Sequence, residues 1–173
     1  MASANDFLDL KLSVRNLDTF YIRQSILNSI MDNMDLFEGK LLDVGCGKMP
    51  YRDLINKKSR IVSYHGLEIN NAKIYDEKII PDFFWDGRTM PFESDEYDIV
   101  FATEVFEHCP DLQTILKESY RVLKPNGKIF FTVPFLWPLH EVPNDEYRYT
   151  PFALKKHLEL AGFENIDIKL TTE

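Results

Sequence analysis

The chain is poor in what several protein classes need. Two cysteines, Cys46 and Cys109, are too few for a disulfide framework and lack the neighbours of a zinc site. Both are expected to be reduced and structural. Basic residues are in deficit, with 20 Lys and Arg against 28 Asp and Glu, a formal charge of -8 and a pI near 5.0. No basic block can meet a phosphate backbone, so nucleic acid is not an expected partner. No stretch approaches the ~20 apolar residues that span a bilayer. Met1 to Leu12 also lacks a basic start followed by an apolar core. No membrane association is expected, and the setting read from the sequence is cytoplasmic. Repeats, low-complexity tracts and Gly/Ser linkers are missing too, which leaves one domain over 1–173.

What is present is a core: 45% of residues are hydrophobic and 13% aromatic. Asp18 and Thr19 can cap a first helix whose Ile22, Ile26, Leu27, Ile30 and Met34 fall near helical spacing, ending before Glu38-Gly39. Near-continuous apolar runs predict strands at Lys40 to Val44, Ile61 to Ile69, within Lys78 to Phe84, at Tyr97 to Thr103 and at Lys128 to Pro134. Asp111 starts a helix with Leu112, Ile115, Leu116, Ser119 and Leu123 on one face, stopped by the Lys-Pro-Asn-Gly turn of 124 to 127. Thr150-Pro151 opens another helix that Gly162 closes, and a last strand is expected from Phe163 to Leu170. Strands alternating with helices predict an α/β, doubly wound, mostly parallel sheet with helices on both faces. In such a sheet, ligands gather at the carboxyl ends of the strands.

The motifs fall there. Leu41 to Pro50 reads Leu-Leu-Asp-Val-Gly-Cys-Gly-Lys-Met-Pro, an apolar strand ending in an acid and running into a Gly-x-Gly turn. Glycine at 45 and 47 lets bare amides approach a ligand closely. Asp43 would repel a pyrophosphate and attract an ammonium or sulfonium. Pro50 occupies the place of the dinucleotide fingerprint's third glycine, which counts against NAD. Glu68 ends the second strand, where a carboxylate can accept from two ribose hydroxyls. Asp86 follows the third strand and could accept from an adenine amino group, with the Gly87 amide reaching a ring nitrogen.

On these residues the chain resembles a class I S-adenosylmethionine-dependent methyltransferase of the small Rossmann-like type. The matching segments are 41 to 47, Gly-Leu-Glu-Ile at 66 to 69, Asp-Gly-Arg-Thr-Met-Pro-Phe at 86 to 92, Tyr97 to His108, and Arg-Val-Leu-Lys-Pro-Asn-Gly-Lys at 121 to 128. The resemblance implies S-adenosyl-L-methionine as cofactor and S-adenosyl-L-homocysteine as product. It implies a cofactor site of Asp43, Gly45, Cys46, Gly47, Glu68, Ile69, Asp86, Gly87, Thr103 and Glu104. It further implies that residues 1–38 form a helical lid, with Tyr21 and Arg23 near the cofactor, over a core at 39–173. Members of this fold carry a seventh, antiparallel strand, which the chain apparently lacks. A truncated carboxyl end is expected, a covering second copy in a homodimer being the other option.

The segment from 138 to 150 lies between the fifth strand and the next helix, over the cofactor in this topology. His140 is the candidate base for a substrate hydroxyl. Asp145, Tyr147 and Arg148 are the candidate substrate-binding groups, Arg148 suiting an acidic one. The bland reading has Tyr147 and Tyr149 packing the loop and Arg148 paired with Glu141 or Asp145. His140-Glu141 has no second histidine at helical spacing, so no metal is expected. His108 is read as holding its loop, and His65 and His157 have no constellation around them. The acceptor is expected to be a small molecule, through a sugar or metabolite hydroxyl. Two other classes remain open: an NAD-dependent oxidoreductase, and a non-catalytic binding or scaffold protein on the same fold.

Overall fold

Strand alternation builds the layers. In β1 (Glu38–Val44), Leu42 and Val44 turn to one face of the sheet and Leu41 to the other. In β4 (Tyr97–Thr103), Val100 and Ala102 join the first face, and Ile99 and Phe101 the second. Central strands apolar on both sides need helices on both sides. The computed structural model, which describes residues 5–9, 11–70, 72 and 79–171, shows that arrangement. α2 (Leu17–Asp32) and α3 (Arg52–Lys58) bury Ile26, Ile30 and Ile55 on the second face. α4 (Leu112–Val122) and α5 (Pro151–Ala161) bury Leu112, Ile115, Leu116, Leu158 and Ala161 on the first. A short α1 (Asn5–Leu8) precedes them.

Between β1 and β3 (Phe83–Trp85) lies β2 (Arg60–Ile69), and β5 (Leu123–Thr132) flanks β4. All pairings are parallel, in the order β3-β2-β1-β4-β5. Connectivity reverses between β1 and β4, and this switch point opens a crevice at their carboxyl ends. The doubly wound α/β fold is as expected.

Several local details differ. Asn16, not Asp18, is the N-cap of α2. Its side chain makes no cap bond to the helix, while Asp18 Oδ1 accepts from the adjacent Thr19 amide. No turn separates α4 from β5, because Leu123 already pairs with Tyr97 and the ladder then slips to Ile99 with Lys128. Pro125 has no N–H to offer and Asn126 sits at φ 67°, so residues 124–127 bulge out of the ladder instead of ending the helix. β5 also stops at Thr132, short of Pro134.

The expected strand from Phe163 to Leu170 does not form among the described residues. Asn165 at φ 53° interrupts the extended backbone, and Phe163, Ile166 and Ile168 pack as side chains against the first core cluster. The short third strand is Phe83–Trp85, and Lys78 at the start of its expected range lies outside the described residues. Thr150 and Asp111 cap their helices as read, accepting from the Ala153 and Thr114 amides at 3.2 and 3.1 Å. Gly162 ends α5 at φ 105°.

Candidate cofactor and acceptor site

β1 delivers its last residues into a turn pinned by the neighbouring strand. The Gly45 and Cys46 amides donate to the Leu67 carbonyl at 2.9 and 3.2 Å, and the Gly47 amide donates to Glu68 Oε2 at 2.9 Å. Glu68 Oε1 accepts from Ile69 N, also at 2.9 Å. Gly45 is at φ 66°, and a Cβ there would stand 2.7 Å from Val105 Cγ1. Only glycine fits between this turn and the segment after β4. Cys46 is buried, and burial pushes its thiol well above the usual range, with Asp43 adding to the shift. Cys109, likewise buried, is pushed up to about 12, and both cysteines are free.

Asp43 is 3% exposed. Tyr64 Oη donates to its Oδ2 at 2.5 Å. Burial raises its carboxyl to about 8, against the lowering effect of the Tyr64 bond, with Glu68 raising and Arg52 lowering. The charge argument from the sequence thus meets a carboxyl that burial shifts toward its neutral form, against the pull of Arg52 and the Tyr64 bond. A buried carboxylate has lost the water that would stabilise its charge.

Asp86 caps the tight turn after β3, Oδ1 accepting from the Arg88 and Thr89 amides at 2.8 and 3.0 Å. These bonds hold its exposed carboxyl below the usual range. Gly87, at φ 80°, lies against Ile69, whose Cδ1 would be 3.2 Å from an added Cβ. The carboxyl ends of β1, β2 and β3 therefore converge on one rim, carrying Asp43, Gly45, Cys46, Gly47, Glu68, Ile69, Asp86 and Gly87.

Thr103 ends β4. Glu104 follows at φ 53°, its amide bonded to the Thr132 carbonyl at 3.0 Å and its Oε1 accepting from Thr132 Oγ1 at 2.8 Å. Burial raises the Glu104 carboxyl. The 3₁₀ turn Phe106–His108 comes next, and onto it folds the 138–150 loop, with the Glu146 and Tyr147 amides donating to the Glu107 carbonyl at 3.0 and 3.1 Å.

Within that loop, Asp145 has a side chain only 1% exposed and is gripped by Arg148 through two bonds, at 2.5 and 2.7 Å. The guanidinium holds Asp145 far below the usual carboxylate range. Arg148 thus clamps the loop through Asp145, the pairing the bland reading gave it, while keeping 24% side-chain exposure. Tyr147 stacks on Tyr149 with ring centroids 5.6 Å apart, the bland reading for that residue.

His140 sits on this clamp. Its amide donates to Asp145 Oδ2 at 2.9 Å, and its Nδ1 lies 3.2 Å from the same oxygen. Its Nε2 faces Glu107 Oε1 at 3.5 Å. Sequence reasoning missed Glu107, which is completely buried, with both carboxylate oxygens lacking a hydrogen-bond partner. Burial raises it to about 8, with Glu104 and Asp145 adding to the shift. A usable signal was present: Glu107-His108 follows β4 and His140 follows β5, and these neighbouring parallel strands bring their carboxyl ends together.

The profile described as "Methyltransferase domain" matches residues 42–131, the stretch that carries the glycine turn, Glu68, Asp86 and the Glu104–His108 segment. A curated ubiquinone biosynthesis O-methyltransferase of Pseudomonas savastanoi pv. phaseolicola is 29% identical over 119 residues, covering 61% of this chain and 49% of that protein. A demethylmenaquinone methyltransferase of Staphylococcus saprophyticus is 25% identical, covering 92% of this chain and 85% of that protein. The chain spans about half the length of the ubiquinone relatives. Among solved structures, Haemonchus contortus phosphoethanolamine N-methyltransferase 2 in complex with S-adenosyl-L-methionine superposes with a TM-score of 0.65 at 19% identity. That match covers 96% of this chain and 46% of the nematode protein, a likeness of fold.

Proposed function

The chain belongs to the methyltransferase domain family, and on that premise we propose that it transfers a methyl group from S-adenosyl-L-methionine to a hydroxyl of a small acceptor. The observation that carries this reading is the rim formed by the Gly45–Gly47 turn, Glu68 and Asp86 at the ends of three adjacent strands. The residues suit an adenosyl group: Asp86 and the Gly87 amide for the base edge, Glu68 for the ribose diol, and the turn with Asp43, Thr103 and Glu104 for the methionine end. When bound, this cofactor supplies a methyl already activated on a sulfonium. The chain's own task is to align the acceptor oxygen and manage its proton, and positioning alone can contribute ~7–11 kcal/mol to the barrier reduction.

In this reading, the residues that manage the proton are His140, oriented by Asp145, and the Glu107 carboxyl beside it. Residues 1–38 act as a lid: Arg23 lies over the Phe7 ring at 4.1 Å and Phe7 meets Tyr51 edge to face at 6.4 Å, next to the glycine turn. The ubiquinone biosynthesis O-methyltransferase relative supports a hydroxyl acceptor. The net charge of -8 speaks against a nucleic acid. Two buried free thiols accord with a cytoplasmic setting, and no described helix is long and apolar enough to cross a membrane. Among the described residues β5 pairs with β4 alone, and its other edge leaves room for a second copy in a homodimer.

The test is transfer of a radiolabelled methyl from the cofactor to a panel of catechols, hydroquinones and sugars. Labelled product from one class, abolished by Glu68→Ala, supports the reading. No product from any class, with bound cofactor verified, would favour a binding or scaffold protein.

A further inference from the structure

We propose that Glu107, His108 and His140 bind a divalent first-row transition ion of the zinc class at the acceptor side of the crevice. The inference rests on the methyl-transfer reading only for what the ion does there.

The three side chains bring one carboxylate oxygen and two imidazole nitrogens within 4.8 Å of one another. Glu107 Oε1 is 3.6 Å from His108 Nε2 and 3.5 Å from His140 Nε2. Two ligands on a tetrahedral ion at ~2.0–2.2 Å stand ~3.4 Å apart, so two of the three spacings already match. The distances are too long for direct hydrogen bonds between these groups.

The outer contacts select the required nitrogens. His108 Nδ1 is 3.0 Å from the Asn144 carbonyl oxygen. His140 Nδ1 is 3.2 Å from Asp145 Oδ2, itself fixed by Arg148. With a proton on each Nδ1, both Nε2 lone pairs point inward at Glu107. A metal-ligating histidine usually has its second nitrogen held by a carboxylate or carbonyl in this way. The two rings stand edge to face with centroids 5.0 Å apart, converging on the same carboxylate.

Glu107 supplies the independent sign. Its side chain is wholly buried, and neither oxygen has a hydrogen-bond partner. Such a group is costly to leave unmatched. A cation among Glu107, His108 and His140 would satisfy it. Two imidazoles with one carboxylate suit zinc-like ions over magnesium or calcium, and three protein ligands leave a position open. Val105, two residues before Glu107, packs on Gly45, so the segment carrying Glu107 borders the proposed methionine end of the cofactor. An acceptor hydroxyl coordinated at the open position would lose its proton to water more readily. His140 then serves as a ligand, and the proton-managing role of the cluster passes to the ion.

The test is titration of the chelator-treated full chain with Co²⁺, followed by its visible absorption band, and displacement by Zn²⁺. We expect one saturable equivalent. Affinity should fall at least ~100-fold in Glu107→Gln and in His140→Asn, and ~10–100-fold in Asp145→Asn, which weakens the outer contact to His140 together with the Arg148 clamp. His140→Asn alters a half-buried loop residue, so it remains informative should the Glu107 variant fail to fold. Calorimetry with S-adenosylhomocysteine on the same proteins should stay within ~2-fold of wild type. Binding of Co²⁺ without a band, or with affinity indifferent to Glu107→Gln and His140→Asn, would overturn the ion site while leaving the methyl-transfer reading in place. Variant-sensitive Co²⁺ binding by a chain that takes no S-adenosylhomocysteine would uphold the ion site and remove that reading.

Discussion

Glu68 Oε2 accepts the Gly47 amide at 2.9 Å, tying the end of β2 to the glycine turn that follows β1. One carboxylate thus shapes the turn and stands where a ribose diol would bind. Glu68→Ala is expected to weaken S-adenosylhomocysteine binding ~10- to 100-fold, the loss of one charge-assisted hydrogen bond at ~1.5–3 kcal/mol. Calorimetric titration of the two proteins checks it. Glu68→Gln should recover part of the affinity, because its amide oxygen can still accept from Gly47.

Gly45→Ala should destabilise the fold by ~1–3 kcal/mol, since its φ of 66° and the 2.7 Å approach to Val105 both oppose a Cβ. Val105→Ala in the same chain relieves the contact and leaves the backbone strain, so the double variant should recover only part of the loss. Urea unfolding of the four proteins measures both parts.

Asp43 makes the account pH-dependent. Its folded carboxyl, raised to about 8 by burial, lies above its unfolded value of ~3.9. The folded state therefore holds the extra proton, and stability from this group is fully present below the unfolded pKa and is lost as pH rises through about 8. Asp43→Asn, still able to accept from Tyr64, should flatten that decline between pH 5 and 9 in urea unfolding. A bound sulfonium and ammonium favour the ionised form, so cofactor binding should release a proton near neutrality. Calorimetry in buffers of different ionisation enthalpy reads that release directly.

Arg148→Ala strands a carboxylate whose side chain is 1% exposed. The expected cost is about 2–3 kcal/mol, below the range for a fully buried pair because Arg148 keeps 24% exposure. The 138–150 loop should become the first site of limited proteolysis, and Arg148→Lys should restore only part of the protection because it lacks the bidentate fork.

The sheet was legible because its signals are local: apolar runs, a Gly-x-Gly turn, Thr150 and Asp111 at helix starts. The same locality explains the errors. Lys-Pro-Asn-Gly reads as a turn in isolation, yet pairing of Leu123 with Tyr97 turns it into a bulge. Phe163, Ile166 and Ile168 alternate like a strand, yet they find the core without a ladder. In the site, the acids at strand ends could be read from order alone. The upward shift of Asp43 could not, because it comes from burial that only the finished fold imposes, against the Tyr64 bond. Glu107 escaped for a similar reason: its meaning lies in His140, 33 residues on, and in the absence of any partner for its oxygens.

The most direct measurement is calorimetric titration of the chain with S-adenosylhomocysteine and, separately, with NAD. Micromolar binding of the former at one site per chain, weakened in Glu68→Ala and Asp86→Ala, with no heat from NAD, is the predicted result. Binding of NAD in preference to S-adenosylhomocysteine, or adenosyl binding indifferent to both substitutions, would contradict the assignment of the rim at Gly45, Gly47, Glu68 and Asp86.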